Sequence, residues 1–213
     1  MTGAALSRLR GSGWLEELAR ADARLRNACR LLQDAELLRR HRRYPSATAL
    51  AVLSLEETGK FWQTSAFNRD AVTTTSRADR SHGHKQAAVA SVLFGTLDIS
   101  EAEKFAGRFG YELKLRWKGD TEPRGKTTGE LLAEVRAGNS PSGDDPIVAL
   151  LRGEFDHLKQ ACFYTDPTRE GWSEPVDAVN RKLADSVISL VRKALRAIHR
   201  ERTRVLRIAR FDG

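Results

Sequence analysis

From Trp14 to Arg40, apolar residues recur at Leu15, Leu18, Leu25, Ala28, Leu31, Leu32, Ala35 and Leu38, with Arg and Glu between them. That spacing predicts a helix with one buried stripe and a charged outer face. Tyr44-Pro45-Ser46 interrupts it, and either Pro45 or Ser46 can open the next helix. So short a connection predicts an antiparallel hairpin. The second helix is different in kind. Its stretch Ser46–Lys60 runs apolar through Leu50, Ala51, Leu53 and Leu55, then ends in Glu56, Glu57, Gly59 and Lys60. With hardly any polar face, it is predicted to be the central helix, surrounded by others and continuing through Phe61 and Trp62 toward Phe67.

Beyond it, residues 68–83 are polar, and small and apolar residues return between Gln86 and Leu97, predicting a third helix. Ile99–Lys118 is a weaker helical segment, interrupted by Gly107 and Gly110. Residues 119–126 and 138–145 read as loops on either side of a short helix, Thr128–Arg136. Pro146 opens an amphipathic helix over Ile147–Tyr164, followed by a turn-rich connector to Pro175. The last long helix is predicted from Val176 to Arg200, with Val179, Leu183, Val187, Leu190 and Ile198 facing inward. Arg204–Phe211 reads as a last helical turn or a short strand. The expectation is an all-α fold: one domain over residues 14–213 after a lead-in over 1–13, built as an antiparallel bundle of four principal helices with additional short ones.

Length supports that reading, since 213 residues suffice for one well-filled core. Hydrophobic residues make up 40% and charged residues 30%, the balance of a water-exposed globular chain. No apolar run approaches the roughly 20 residues that span a bilayer. The N-terminus lacks the charged-then-apolar order of a signal peptide, so a cytoplasmic protein with no membrane partner is expected. Cys29 and Cys162, far apart and inside apolar patterns, predict buried thiols rather than a disulfide or zinc site. The net charge of +8 is unevenly placed. Arg181–Arg210 holds ten Lys or Arg against Asp185 and Glu201, which suits either an RNA-binding face or a solvated helix end.

Candidate chemistry begins where charge conflicts with burial. Glu56 and Glu57 end a helix predicted to be buried, and buried carboxylates need partners. Lys60 stands four residues after Glu56, so an intrahelical pair is the simplest account. The other account is a network that links this helix to the polar run Arg77-Ala-Asp-Arg80-Ser-His82-Gly-His84-Lys85. Lys159, Tyr164 and Asp166, near Trp172, form a further polar group at a helix end. There the residues favour a buried aromatic lid, with Asp166 capping the turn into Pro167. His41, His157 and His199 have no partners at metal-ligand spacing, so no metal or other cofactor is expected.

Three pieces in order carry a family resemblance: Ala47–Lys60 with its Leu-Glu-Glu-Thr-Gly-Lys ending; Ser81-His82-x-x-Lys85; and Leu158–Asp166 followed by Gly171-Trp172 and Pro175. Together they resemble the AbiV family of abortive-infection proteins, in the HEPN superfamily of helical bundles. The resemblance covers roughly residues 25–180 and implies a bacterial antiphage role. Many HEPN proteins are dimeric, metal-independent ribonucleases with an Arg-x4–6-His motif at the dimer interface. Here Arg77 to His82 fits with four intervening residues and Arg77 to His84 with six, and Arg80 competes with Arg77.

Cleavage by the ribose 2′-hydroxyl needs a base, an acid and cations around the phosphate. The resemblance therefore implies His82 as the proton-transfer residue, Arg77 and Lys85 as phosphate holders, and Glu56 or Glu57 as their positioner. Arg80, His84, Lys60, Lys159, Tyr164 and Asp166 are candidate substrate contacts. The implied partners are a second copy of the chain in a homodimer, RNA, and a phage-encoded activator protein. The alternative is a non-catalytic helical module that recognises a phage protein or sequesters a translation component.

Overall fold

The computed structural model describes residues 22–64, 82–97, 99–107, 145–164, 166–168, 171–173, 175 and 179–211. Helix α1 (Ala23–Arg40) starts where Asp22 takes an extended backbone and its carboxylate accepts a hydrogen bond from the Arg24 N–H. The predicted start at Trp14 lies outside the described residues. Helix α1 ends in a tight turn in which Arg42 adopts the left-handed conformation (φ 61°) and the Arg43 N–H reaches back to the Leu38 carbonyl. Helix α2 (Tyr44–Thr64) follows at once and folds back along α1, as the short connection predicts.

Helix α2 is the central element. Between Tyr44 and Gln63 only Ser46 is exposed. It packs against α1, α3 (His82–Phe94), α6 (Glu154–Phe163) and α7 (Arg181–Phe211). Ala47, Ala49 and Ala51 are completely buried and let neighbouring backbones come close. Ser54 donates to the Ala28 carbonyl of α1 at 2.7 Å, and Thr58 donates to the Ser54 carbonyl at 2.7 Å. Those two buried hydroxyls are thereby absorbed into backbone acceptors, whereas the hydroxyl of the equally buried Thr48 on the same helix has no hydrogen-bond partner among the described residues.

The core is continuous. It joins Leu25 and Leu32 of α1, Val52 and Leu55 of α2, Val89 and Leu93 of α3, and Val191 and Leu195 of α7, with Leu150 of α5 (Pro146–Arg152) and Phe105 of α4 (Ile99–Gly107). Helix α4 covers the weaker segment expected over residues 99–118 only as far as Gly107, and the short helix expected at 128–136 lies outside the described residues. Among the described residues no helix is long and apolar enough to cross a membrane.

Three expectations are corrected. The single helix expected over Ile147–Tyr164 is two, α5 and α6, broken at Gly153 in the left-handed conformation (φ 74°). Gly153 ends α5 and begins α6, a backbone state that glycine adopts without strain. The connector after Tyr164 holds a small antiparallel ribbon, β1 (Asp166–Thr168) with β2 (Gly171–Ser173), pairing Pro167 with Trp172. The last helix starts at Arg181, where the Asn180 side chain accepts from the Leu183 N–H, and it runs unbroken to Phe211. The fold is otherwise the expected one: all-α, a HEPN-like bundle.

Candidate functional site

Glu56 sits on α2 with 3% of its surface exposed. Two partners account for so buried a carboxylate. Its Oε1 accepts from the Lys159 ammonium at 2.7 Å, and its Oε2 lies 2.8 Å from Nδ1 of His82. Lys159, itself 6% exposed, extends from α6 and also meets the Asp156 carboxylate one helical turn back, at 2.8 Å. The ammonium therefore stands among three groups, with His82 Nδ1 at 3.2 Å completing the set. Three helices supply the cluster: α2 gives Glu56, α3 gives His82 at its first residue, and α6 gives Asp156 and Lys159.

Hydrogen-bond accounting assigns the protons. An ammonium has donors only, and the two carboxylates are its natural acceptors. His82 Nδ1 then carries a proton toward Glu56 Oε2, and its neutral form is the tautomer with the free lone pair on Nε2. The His82 side chain is 48% exposed while the Glu56 side chain is 4% exposed. One edge of the ring is thus anchored on a buried carboxylate and the rest opens toward solvent. A positioned carboxylate–imidazole pair of this kind can accept or deliver a proton at Nε2.

Backbone contacts explain how α3 comes so close. At Gly59 of α2, an added Cβ would lie 2.1 Å from the Lys85 carbonyl oxygen, so nothing larger than glycine fits there. At Gly153, an added Cβ would lie 3.1 Å from the Gly83 Cα. Two glycine contacts thus press the first turn of α3 against both α2 and the α5–α6 break. Gln86, completely buried, completes the junction: its Oε1 accepts from the Phe155 N–H at 3.2 Å, capping α6 in place of the side chain that Gly153 lacks.

The electrostatics follow from the contacts. The hydrogen bond from Lys159 holds the Asp156 carboxyl below its usual range. Burial pulls the Lys159 ammonium downward, but its hydrogen bonds to Asp156 and Glu56 outweigh that and keep it above its ordinary value. Lys85, half-buried on α3, is lowered first by burial and then by the nearby charge of Lys60. Burial likewise pushes the thiols of Cys29 and Cys162 up to about 11. Those cysteines are packing residues, as their pattern predicts.

The candidate residues therefore separate. Glu56, His82 and Lys159 converge. Glu57 instead forms an ion pair with Lys60 on its own helix, which removes both from the cluster and splits the Glu-Glu pair into two roles. His84 and Lys85 lie on the first turn of α3, but it is the His82 ring that meets Glu56. Arg77 and Arg80 lie outside the described residues, as do the side chains of Asp166 and Trp172. Tyr164 is no buried lid: it is 61% exposed, edge-on to Phe163, which is 52% exposed. Asp156 was not among the sequence candidates. Its signal is the Asp156-x-x-Lys159 spacing, one turn apart on a helix, which is common on solvated faces and stands out only once Lys159 is seen to be buried.

Glu56, His82 and Asp156 present ligand atoms within 4.8 Å of one another, the spacing of a three-ligand metal site. The Lys159 ammonium already lies among those atoms, so the residues fit an ion only if that lysine is displaced.

A family model described as AbiV, of the HEPN type, matches residues 18–196. The chain belongs to the AbiV family. The match spans all three helices that build the cluster, and AbiV membership gives the protein a HEPN-type abortive-infection role. Searches of curated proteins and of solved structures return no match.

Proposed function

We propose that this AbiV protein is a metal-independent HEPN-type endoribonuclease that acts on RNA or translation during phage infection. The observation that carries the reading is the half-exposed His82 ring, held at Nδ1 by the buried Glu56 carboxylate. In the proposed reaction the ribose 2′-oxygen attacks phosphorus while its proton passes to a base. The bond from phosphorus to the 5′-oxygen breaks, and that oxygen takes a proton from an acid. The products are a 2′,3′-cyclic phosphate and a 5′-hydroxyl.

His82 Nε2 serves one proton transfer. In the proposed homodimer, the second copy's histidine serves the other. Glu56 positions the ring, Lys159, itself held by Asp156, fixes Glu56, and Lys85 with Arg77 neutralises the phosphate. The test is incubation of the purified protein with total cellular RNA in the presence of EDTA. Wild type is expected to cleave, and His82→Ala to lose about 10²–10⁴-fold in rate. Cleavage that persists undiminished in His82→Ala would sink the assignment.

A second reading rests on the same cluster. One ammonium between two carboxylates satisfies itself without substrate, so the tetrad also suits a staple that locks α2, α3 and α6 in a binding module. That module would recognise a phage protein or sequester a translation component. Phage protection retained by His82→Ala, with no RNA cleavage by either protein, selects it.

A further inference from the structure

We infer that the outer ridge of α7 is a track for single-stranded RNA, with the phosphates on its cations and the bases in the groove beside its first half. The inference rests on the nuclease reading for its substrate class, and on two features of the surface for its place.

The first feature is the ridge itself. Lys182, Ser186, Ser189, Lys193, Arg196 and Arg200 follow one another at intervals of three or four residues, all exposed, and therefore share one face of the helix. The row continues to Arg204, about 33 Å from Lys182 at the rise of an α-helix. No apolar residue interrupts it. The apolar side of α7 is consumed by the core, where Val187, Val191, Leu195 and Ile198 are 0–2% exposed. A membrane-binding helix needs an apolar face free to insert, and a protein interface is built around apolar or aromatic anchors. This ridge offers neither, only cations and hydroxyls.

The acidic neighbours do not cancel the charge of the ridge. Asp185 is held by Arg39 at 2.9 Å, with Arg181 at 3.6 Å, and the buried Glu36 is held by Arg192 at 2.7 Å. Arg192 is thereby a structural cation and stands apart from the row. Glu201 pairs with Arg204. Lys182, Lys193 and Arg200 are the principal phosphate contacts, and Arg196 stands among them on the same exposed face.

The second feature is a groove of about 1210 Å³ between α7 and the α5–α6 pair. One wall is the ridge, with Lys182, Ser186, Ser189 and Lys193 on it, and Ala149, Phe155 and Leu158 line the opposite side together with Glu154, whose carboxylate lies 3.9 Å from Arg152. A row of cations along an apolar trough is the arrangement that holds a single strand, because unpaired bases can turn into the trough while the backbone stays on the charges. A duplex keeps its bases stacked inside and gains nothing from the trough.

Fluorescence anisotropy with a roughly twelve-nucleotide labelled oligouridylate tests this. It is done on full-length protein carrying His82→Ala so that the probe stays intact. Four phosphate contacts predict a log–log salt slope of roughly −2.8. Lys193→Ser/Arg196→Ser/Arg200→Ser is expected to flatten the slope by about 2 and to weaken binding at least tenfold at low salt. Ser189→Glu, an exposed position on the groove wall, is expected to weaken binding without altering far-UV circular dichroism. Arg26→Ser/Arg30→Ser on α1 serves as the control for loss of cations elsewhere.

Unchanged affinity in the triple variant overturns the inference, as does displacement of the RNA by polyglutamate at equal charge concentration. Equal affinity for a duplex of the same length overturns the placement of bases in the groove. The nuclease reading fails separately: wild type that binds the probe on the ridge but never cleaves total RNA leaves the track standing alone. Cleavage by the triple variant at unchanged KM leaves the nuclease and removes the track.

Discussion

At the scale of single residues, the decisive fact is that Glu56 and Glu57, adjacent in sequence, have opposite fates. Successive helix positions point about a quarter-turn apart, so one carboxylate faces the core and meets His82 and Lys159 while the other meets Lys60 on the rim. Lys159→Met should therefore destabilise the fold by about 3–5 kcal/mol, because it strands a buried carboxylate. Glu56→Gln/Lys159→Met should recover part of that loss, since position 56 then buries no charge and Asp156, the other partner of Lys159, is partly open to water. Urea midpoints of the two variants check this. Arg42 offers a test of opposite sign. Its left-handed backbone is costly for any residue with a Cβ, and Arg42→Gly should raise stability by about 1 kcal/mol in the same assay. The cysteines give a simple check on burial. With both thiols at about 11, iodoacetamide at neutral pH should leave them unmodified in native protein and alkylate both in urea.

At the scale of elements, the site is a consequence of two glycine contacts. Gly59 admits the Lys85 carbonyl, and Gly153 both turns the chain and admits Gly83. Gly59→Ala places a methyl where a backbone oxygen stands, so α3 must move away from α2. The expected result is a lower melting temperature together with loss of RNA cleavage, while Gly95→Ala in the turn after α3 meets nothing closer than 3.5 Å and should leave cleavage intact. Thermal scans alongside the RNA assay compare the two. Neither close approach is legible in the sequence. A glycine inside a helical pattern reads as a weak spot or an end, and only the neighbouring backbone reveals why no side chain fits.

At the scale of the whole molecule, the cluster ties stability to pH. The folded Asp156 carboxyl lies below its ordinary 3.8, so its contribution is present above that value and lost as pH falls through the folded one. Lys159 is held above its ordinary 10.5, so its contribution is present below 10.5 and lost as pH rises through the folded value. The α2–α3–α6 junction should be most stable between these limits. Asp156→Asn should shallow the acid limb of the urea midpoint measured from about pH 6 to pH 2, with little change near pH 7 beyond the loss of one ion pair. The oligomeric proposal belongs at this scale too. Sedimentation at micromolar concentration should give a dimer, and a monomer near 23.8 kDa would remove the second histidine from the proposed reaction.

The sequence by itself determined the bundle, because apolar periodicity is a local property that any helix must satisfy before it can pack. It marked α2 as central from its missing polar face, and the three ordered motifs led to the AbiV family. It also placed Glu56, His82 and Lys159 among the candidates. Tertiary structure alone decided which of them meet. The split of Glu56 from Glu57, the choice of the His82 ring, the entry of Asp156 and the exposure of Tyr164 all depend on how three helices rotate against one another. That rotation is set by backbone contacts between residues 26 to 70 positions apart, which no local pattern of hydrophobic and polar residues encodes.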